Sequence, residues 1–389
     1  MQTDFDLIIL GGGCAGLSLA TRLAELGRES PTTLIIEART HYTLDRTWCF
    51  WDDGATRLRP LIQHRWQKMT VRAAGRAVTV DCGAKPYCLL PADAFYSAAA
   101  AAIGFNGRLD LSLGMRPHVE PRKVGNKWVV EAKPSIFTAK MVVDTRPVQK
   151  PKSGNAILWQ SFYGREIECD AAVFDPARAE LMDFADGHDR DIRFTYVLPL
   201  SPTRALIETT VFGPDPHSPL ALAKELDVAI KRYTGSAGYY VRRREDGILP
   251  MGIASAAANT DPTYVRAGLG NGGARPSTGY AFQRIQRWAD CCAQNLQLRS
   301  LPLGHAPDPV LLRAMDHLFL SVLRARSAEA PAMFLALFEK VDPARMIRFL
   351  SDGGSIVDYA IVAAALPVLP FLAEIPNAFS RTLKLRAAS

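Results

Sequence analysis

The first 37 residues carry the pattern that most restricts what this chain can fold into. The apolar run at 7–10 is suited to a buried parallel strand, and an apolar segment with helical periodicity follows at 17–26. A second apolar run, at 34–36, ends in Glu37. This order predicts a strand–helix–strand unit, which begins an α/β fold with a parallel sheet.

Three glycines between the first strand and the helix predict the ligand of this unit. Gly11, Gly13 and Gly16 have the spacing GxGxxG, in which the first makes the tight turn, the second lets the backbone approach a pyrophosphate, and the third lets the helix pack closely. The helix N-terminus offers N–H groups to phosphates, and Glu37 can hold ribose hydroxyls. With a strand before it, a helix after it and this acid, the motif predicts a dinucleotide-binding unit.

Two later segments favour FAD over NAD as that dinucleotide. The stretch VVDTRP at 142–147 resembles the late strand and turn of flavoproteins with two dinucleotide domains. Residues 264–290 predict a short strand, a glycine-rich turn and a helix that begins around Thr278 and Gly279 and could receive a second part of the cofactor. A dinucleotide contacted at both ends of the chain is typical of FAD. The cofactor-binding candidates in these segments are Asp144, Gly272, Gly273, Thr278 and Gly279.

Charge and cysteine content narrow the classes of partner and ligand. A net charge of +7 and a pI near 9.0 favour phosphates or anionic lipid, but no basic block with interleaved aromatics indicates nucleic acid. Seven cysteines, without a CxxC pair or a histidine at ligand spacing, argue against a disulfide framework and a metal site. The polar opening MQTDFD lacks a secretory signal, so we expect a cytoplasmic protein.

One acid lies in an otherwise apolar segment. Residues 196–212, YVLPLSPTRALIETTVF, predict a β-hairpin whose alternation places Leu206, Glu208, Thr210 and Phe212 on one face. An ionised glutamate is costly to bury among such neighbours. Glu208 therefore either lies on an edge strand and points to water, which is the common situation for glutamate, or has a chemical role.

Seven motifs, taken in chain order, resemble those of the flavin-dependent lycopene cyclases of carotenoid-making bacteria. The resemblance covers nearly the whole chain, although the last quarter matches only in character. The motifs are the N-terminal fingerprint with Glu37, LDRTWCFWDD (44–53), LWQSFYGREIE (158–168), LMDF (181–184), YVLPLSPTRALIETT (196–210), REDGILPM (244–251) and RPSTGYAF (275–282).

The resemblance implies an α/β fold of the glutathione-reductase and hydroxybenzoate-hydroxylase type. It would combine a Rossmann-type FAD-binding domain, an inserted β-sheet substrate domain and a helical C-terminal region. We expect the FAD-binding domain at 1–80, 135–155 and 262–300, the β-rich substrate-binding domain at 81–134 and 156–261, and the helical region at 301–389.

The implied reaction is the redox-neutral closure of β-ionone rings on an acyclic carotenoid, lycopene. It would use reduced FAD, with NAD(P)H as the external reductant. In LIETT, the acidic motif these cyclases need, the first acid falls on Glu208, and Thr209 stands where relatives usually have a second acid. Glu208 is the predicted proton donor, because desolvation favours the neutral carboxyl that an alkene protonation requires. The substitution at Thr209 argues against a two-carboxylate mechanism.

Several further residues are candidates for the site. Trp48, Phe50 and Trp51 could line a substrate tunnel or be ordinary core aromatics. Asp52 and Glu245 are rival acids, for which a surface or turn position is the alternative. Arg46 could pair with the cofactor phosphates or form an ordinary salt bridge.

The C-terminal region predicts contact with a membrane surface, since a C40 hydrocarbon dissolves in bilayers. The uncharged stretch 359–373 is too short, and too interrupted by Pro367 and Pro370, for a confident membrane span. It suits an interfacial segment of a peripheral inner-membrane protein, or else a helical cap over the substrate domain. The basic residues that could meet anionic head groups are Arg381, Lys384 and Arg386.

Other functions stay open from the sequence. A redox flavoenzyme, either a hydroxylase or an isoprenoid reductase, or a cyclase of another polyprenoid could have the same fold. The late turn reads Gly-Asn-Gly-Gly at 270–273, where most flavin hydroxylases carry a Gly-Asp pair. A non-catalytic flavin- or carotenoid-binding protein is a third alternative.

Overall fold

The computed structural model describes residues 2–52, 54, 57–147, 156–184, 190–252 and 261–388. Its strands are β1 (Gln2–Leu10), β2 (Thr33–Ile36), β3 (Thr47–Trp51), β4 (His64–Trp66), β5 (Lys68–Ala73), β6 (Arg76–Asp81), β7 (Tyr87–Pro91), β8 (Leu109–Ser112), β9 (Arg122–Val124), β10 (Lys127–Ala132), β11 (Ser135–Asp144), β12 (Leu158–Cys169), β13 (Arg178–Phe184), β14 (Ile192–Pro199), β15 (Arg204–Gly213), β16 (Tyr239–Met251) and β17 (Tyr264–Arg266). Its α-helices are α1 (Cys14–Glu25), α2 (Ala92–Gly104), α3 (Pro219–Thr234), α4 (Phe282–Arg299), α5 (Val310–Ala325), α6 (Ala330–Lys340), α7 (Pro343–Leu350), α8 (Ile356–Ala364) and α9 (Val368–Ala388).

The predicted strand–helix–strand unit is confirmed and lies in the first sheet. That sheet has the order β8-β2-β1-β11-β10-β9, with β17 also paired to β11, and β1 runs parallel to both β2 and β11. The last four residues of β1 are fully buried, because α1 and α4 pack on one face and a second apolar cluster covers the other. Burial on both faces explains why this strand reads as a continuous apolar run.

The second sheet contains the predicted hairpin, formed by β14 and β15. Its order is β16-β12-β15-β14-β13-β5-β6, and β12, β14, β15 and β16 pair in antiparallel fashion. Because β15 pairs on both sides, the edge-strand interpretation of Glu208 is wrong. One face of β15 packs towards α3 and the other towards the C-terminal helices, so every residue of the strand after Arg204 is buried.

The C-terminal region is helical, as predicted, and α5 to α8 contribute to one hydrophobic core with the second sheet. Across the described residues, no single helix combines the length and apolar composition needed to cross a bilayer. The pair Ile356–Ala364 and Val368–Ala378, bent by 113°, reaches those values only when taken together.

The sheets depart from the predicted domain bounds in two places. Strands β8, β9 and β10, expected in the substrate domain, extend the first sheet, whereas β5 and β6, expected in the FAD-binding domain, extend the second. The local sequence of a short alternating strand does not predict which sheet the strand joins, because its register and its partner strand are set by residues far away in the chain. The helix predicted around Thr278 and Gly279 begins at Phe282 instead, after a turn in which the Gly279 N–H donates to the Arg275 carbonyl (2.9 Å).

Candidate active site

A large cavity lies where the two seven-stranded sheets, the small third sheet β3-β7-β4 and the C-terminal helices meet. It has a volume of about 1230 Å³, which exceeds the roughly 300–1,000 Å³ of ordinary small-molecule pockets. Its wall includes the N-terminus of α1, the end of β2, the inner face of the second sheet and residues from α5 to α9. The cavity therefore has room for more than one ligand.

The three fingerprint glycines have distinct geometries at one end of the cavity. Gly11 has a φ of +97°, the left-handed conformation that glycine adopts most readily. A Cβ on Gly16 would lie 1.9 Å from the Gly11 carbonyl oxygen, so this position allows the close helix–strand packing. A Cβ on Gly13 would meet nothing closer than Arg39 Nη2 at 4.0 Å, and this glycine lines the cavity. The space beside Gly13 is the slot a pyrophosphate needs.

Glu37 lines the same end of the cavity and is held in a hydrogen-bond network. Its carboxylate accepts the Gly12 N–H (2.6 Å) and the Arg39 backbone and Nε groups (2.8 and 3.1 Å). Burial opposes the charge, yet the bonds from Arg39 and Gly12 keep the pKa of Glu37 below its usual value. An ionised acceptor at the end of β2 fits a ribose. Arg39 also lines the cavity and is not among the residues predicted from sequence, although it lies only two residues after Glu37.

The other predicted cofactor residues divide into two groups. Arg46, Thr278 and Gly279 line the cavity, and the Arg46 side chain is half exposed, with its nearest carboxylate 4.0 Å away. The remaining three stand behind the wall. Asp144 holds Arg146 through paired 2.8 Å bonds, and Gly272 and Gly273 pack against His305. Arg146, rather than Asp144, presents its side chain to the cavity.

One buried polar atom in the wall lacks a partner. Gln160 Oε1 accepts no hydrogen bond from any described residue, and a Cβ on Gly279 would lie 2.8 Å from it. Buried polar atoms are normally hydrogen-bonded, so this one indicates a ligand contact. Together with the open slot at Gly13, it shows that the residues present fit a dinucleotide that extends from α1 to the turn before α4.

Glu208 lies on the inner face of the second sheet, only 8% exposed, and lines the cavity. The alternation predicted for β15 is confirmed, because Leu206, Thr210 and Phe212 line the same wall. On the neighbouring strand β12, Gly164 lies directly opposite Glu208, and on the far side of β12 it lies directly opposite Glu245. A Cβ on Gly164 would lie 2.6 Å from Glu208 Cγ. This glycine leaves the gap across which the two glutamates meet.

Glu245 is fixed by Thr47 on β3 and by Arg243 on its own strand, β16. It accepts hydrogen bonds from Thr47 Oγ1 (2.8 Å) and from Arg243 Nη1, and Arg243 Nε in turn donates to Glu166 (2.6 Å). Burial, and next the negative charge and hydrogen bond of Glu245, raise the pKa of Glu208 well above its usual value. The raised pKa favours the neutral, proton-carrying form of Glu208, next to a Glu245 that is hydrogen-bonded to Arg243 and Thr47.

The structure places a second carboxyl next to Glu208, although Thr209 stands where relatives usually have the second acid. Strand alternation turns Thr209 to the opposite face of the sheet, so an acid at that position would not reach the cavity from the same side as Glu208. The second carboxyl comes instead from β16. Asp52, the rival acid, is buried away from the cavity and bound to Arg59 (3.0 Å) and the Gly54 N–H (2.9 Å).

Hydroxyl-bearing aromatic rings line the wall next to Glu208. Tyr196 lies opposite Glu208 on β14, and its hydroxyl donates to Tyr87 (2.8 Å), which also contacts the Tyr280 hydroxyl. Burial raises the pKa of each tyrosine and of the Cys49 thiol beside them. All four groups stay neutral, so no thiolate or phenolate stands beside the acid.

The three candidate aromatics of β3 separate because of strand alternation. Trp48 lines the cavity and stacks on Phe282, with ring centroids 5.3 Å apart. Phe50 follows it on the same face but lies deeper, in the core beside α4. Trp51 points to the other face and packs against Tyr87. Phe50 and Trp51 are therefore core residues, outside the cavity wall, and only Trp48 keeps its candidate role.

As for metals, no ligand cluster of His, Cys, Asp and Glu occurs among the described residues.

The sequence matches one protein family along nearly its whole length. The family described as lycopene cyclase protein matches residues 6–375. A lycopene beta-cyclase of Pantoea ananas is 26% identical over 321 residues, which cover 79% of this chain and 78% of that protein. A lycopene beta-cyclase of Paracoccus sp. is 28% identical over 388 residues, covering 94% of this chain and 95% of that protein.

Solved structures with the same fold are flavoproteins. The p-nitrophenol 4-monooxygenase PnpA of Pseudomonas putida superimposes with a TM-score of 0.61 at 16% identity, covering 98% of this chain and 99% of that one. The flavin-dependent monooxygenase PieE, solved with FAD and substrate, gives a TM-score of 0.59 at 14% identity, covering 96% and 72%. At these identities the likeness concerns the fold alone, and it confirms the predicted fold class.

Proposed function

Because the chain belongs to the lycopene cyclase family, we propose that it closes the ends of lycopene to β-ionone rings without net redox change, with Glu208 as the proton donor. Membership confirms the resemblance seen in the motifs. The observation that carries the proposal is the glutamate pair in the cavity wall, in which Glu208 has a raised pKa and Glu245 is held in place by Thr47 and Arg243.

The reaction needs a proton at one alkene carbon and its later removal from another. Glu208 transfers its proton to the terminal alkene and forms a tertiary carbocation, which the neighbouring alkene attacks to close the ring. A ring carbon then loses a proton, which returns to the glutamate pair and leaves the ring double bond. One proton enters and one leaves, so no reductant or oxidant is consumed.

The surroundings of Glu208 suit both halves of this cycle. After proton transfer Glu208 is anionic, and its charge stabilises the cation in the buried site. Tyr87, Tyr196 and Tyr280 present rings to the same space, which favours a cation without supplying a charged nucleophile. Glu245, bound to Arg243 and Thr47, keeps its position when Glu208 becomes charged.

FAD is the cofactor of this proposal. Gly11, Gly13 and the N-terminus of α1 would hold the pyrophosphate, Glu37 the ribose, and Arg46 a phosphate oxygen. In its reduced state, with NAD(P)H as the external reductant, a flavin held by these residues would supply negative charge to the site. Gln160, whose Oε1 has no partner among the described residues, would donate to or accept from its polar edge.

Peripheral association with the cytoplasmic face of the inner membrane belongs to the same proposal. The bent pair α8–α9 exposes Ile356, Val357 and Leu369, and the net charge is +7. Apolar side chains and positive charge act together at an anionic bilayer surface. The side chains of Arg381, Lys384 and Arg386 lie outside the described residues. The protein should sediment with anionic vesicles and dissociate in high salt; full solubility under both conditions would contradict this part.

Production of the protein in lycopene-accumulating bacteria, followed by pigment chromatography, tests the main proposal. The wild type should convert lycopene to ring-bearing products, and Glu208→Gln should lose at least about 10²- to 10⁴-fold in rate while it keeps its flavin. Glu208→Asp should retain part of the activity. In heavy water each new ring should carry one deuterium.

Each alternative function has its own signature in these experiments. Consumption of reductant in proportion to product would replace the cyclase by a redox flavoenzyme. Binding of polyene without any product would indicate a carrier. If Glu208→Gln still cyclises lycopene and either Glu245→Gln or Asp52→Asn is inactive, the proton donor is another acid than Glu208. The proposed reaction would be unaffected by that result.

A further inference from the structure

The cavity wall has two parts of different chemistry, called arms below, and Glu208 lines the same cavity. One arm contains the glycine turn, Glu37 and the arginines Arg39 and Arg46. The other is formed by residues 315–375, all of which are described. Every residue that this part contributes to the wall is apolar except Asp316, whose carboxylate is neutralised by Arg275 and bound by Ser277 (2.8 Å). The second arm therefore offers its ligand no free polar group.

A series of contacting aromatic rings leads from the second sheet into the apolar arm. It begins at Phe212, two positions beyond Thr210 on the face of Glu208, and ends on α9. Neighbouring centroids are 5.2 to 6.3 Å apart, the usual spacing of packed aromatic pairs. In order of contact the rings are Phe212, Phe194, Phe184, Phe334, Phe319 and Phe371, of which all but Phe184 line the cavity.

The far end of this arm opens to the surface at α9. Val368, Leu372 and Ile375 line the cavity and are nevertheless 64%, 57% and 51% exposed. Side chains that do both stand at the rim of an opening. Exposed apolar side chains in such a group mark a binding surface rather than chance exposure.

We infer that the aromatic arm is the channel for the polyene, which enters end-first between the rim residues of α9 and brings its terminal alkene to Glu208. This inference rests on the proposed function and adds the route, the orientation and the residues that select the chain. An acyclic hydrocarbon has no group for hydrogen bonding, so an aromatic wall without polar atoms is the surface that binds it and rejects hydroxylated chains. The nucleotide arm stays free for the cofactor.

Binding by a variant that cannot turn over tests the channel apart from the chemistry. Purified Glu208→Gln protein is incubated with lycopene in detergent micelles, and bound pigment is measured by absorbance after gel filtration. Addition of Phe334→Leu, which removes a ring but keeps an apolar side chain, or of Leu372→Arg at the rim should weaken lycopene binding at least about tenfold. Leu220→Arg, an equally drastic change at an 85% exposed position on α3, is the matched control and should not change binding.

Measurement of KM and kcat completes the test, with the channel substitutions made in protein that retains Glu208. Phe334→Leu should raise KM for lycopene with kcat at saturation nearly unchanged, because the proton donor is untouched. Unchanged binding and KM in both channel variants, with flavin content and melting temperature equal to wild type, would overturn the channel and leave the cyclase proposal standing. A wild type that binds lycopene through these residues but forms no ring would overturn the cyclase proposal and support the channel.

Discussion

Replacement of Gly164 by alanine should disable the glutamate pair without unfolding the protein. The new Cβ would lie 2.6 Å from Glu208 Cγ, whereas carbon atoms in contact prefer about 3.5–4.0 Å. The Glu208 side chain, which is the movable partner, must therefore shift by about 1 Å. A displacement of that size in a reacting group costs on the order of 10²-fold in rate. The overpacking itself costs about 1–3 kcal/mol of stability.

The assay is the rate of ring formation from lycopene, measured together with flavin content and melting temperature. Gly164→Ala should keep its flavin and lose about two orders of magnitude in kcat. Gly107→Ala is the matched control, since a Cβ there meets nothing within 4 Å, and it should behave as wild type. If Gly164→Ala cyclises at the wild-type rate, the contact between the two carboxyls across this gap does not matter for the reaction.

Three further outcomes follow from single contacts. The folded state keeps a proton on Glu208 that the unfolded chain loses above the usual glutamate pKa, so wild-type stability should fall as the pH rises from that usual value towards the raised pKa of Glu208. Glu208→Gln should therefore have a higher melting temperature than wild type at pH 7–8. A difference that does not shrink towards pH 5 would contradict the raised pKa. Gly13→Val should fold, as judged by circular dichroism, yet lack the yellow colour, and stoichiometric flavin in this variant would exclude the pyrophosphate slot. Asp316→Ala should lose about 3–5 kcal/mol in denaturant unfolding because it strands the buried Arg275, whereas Glu329→Ala in an exposed pair should lose no more than about 1; equal losses would refute the difference in burial.

Local sequence patterns predicted those features that are formed by residues close together in the chain. The fingerprint works through the backbone of neighbouring residues, so Gly11, Gly13 and Gly16 could be assigned their roles before any tertiary contact was known. The alternation of β15 likewise placed Leu206, Thr210 and Phe212 beside Glu208, because a strand has a period of two. These assignments depend on spacing alone.

Sequence spacing could not show which of the candidate aromatic and acidic residues line the cavity. Trp48, Phe50 and Trp51 share one strand, but depth and face separate them, and both depend on what α4 and β7 place opposite. Asp52 and Glu245 looked equivalent in sequence. One is bound to Arg59 in the core, while the other meets Glu208, and nothing near either residue in the chain distinguishes them.

Strand order brings the two glutamates together. Glu208 and Glu245 belong to different strands, and β12 lies between them with Gly164 in register with both. The sequence specified an acid in an apolar strand and a turn for a dinucleotide, since each is a matter of local geometry. The second carboxyl next to Glu208, the series of aromatic rings that ends on α9 and the cavity that both line depend on register and on the packing of the C-terminal helices, which are set by contacts between residues far apart in the chain.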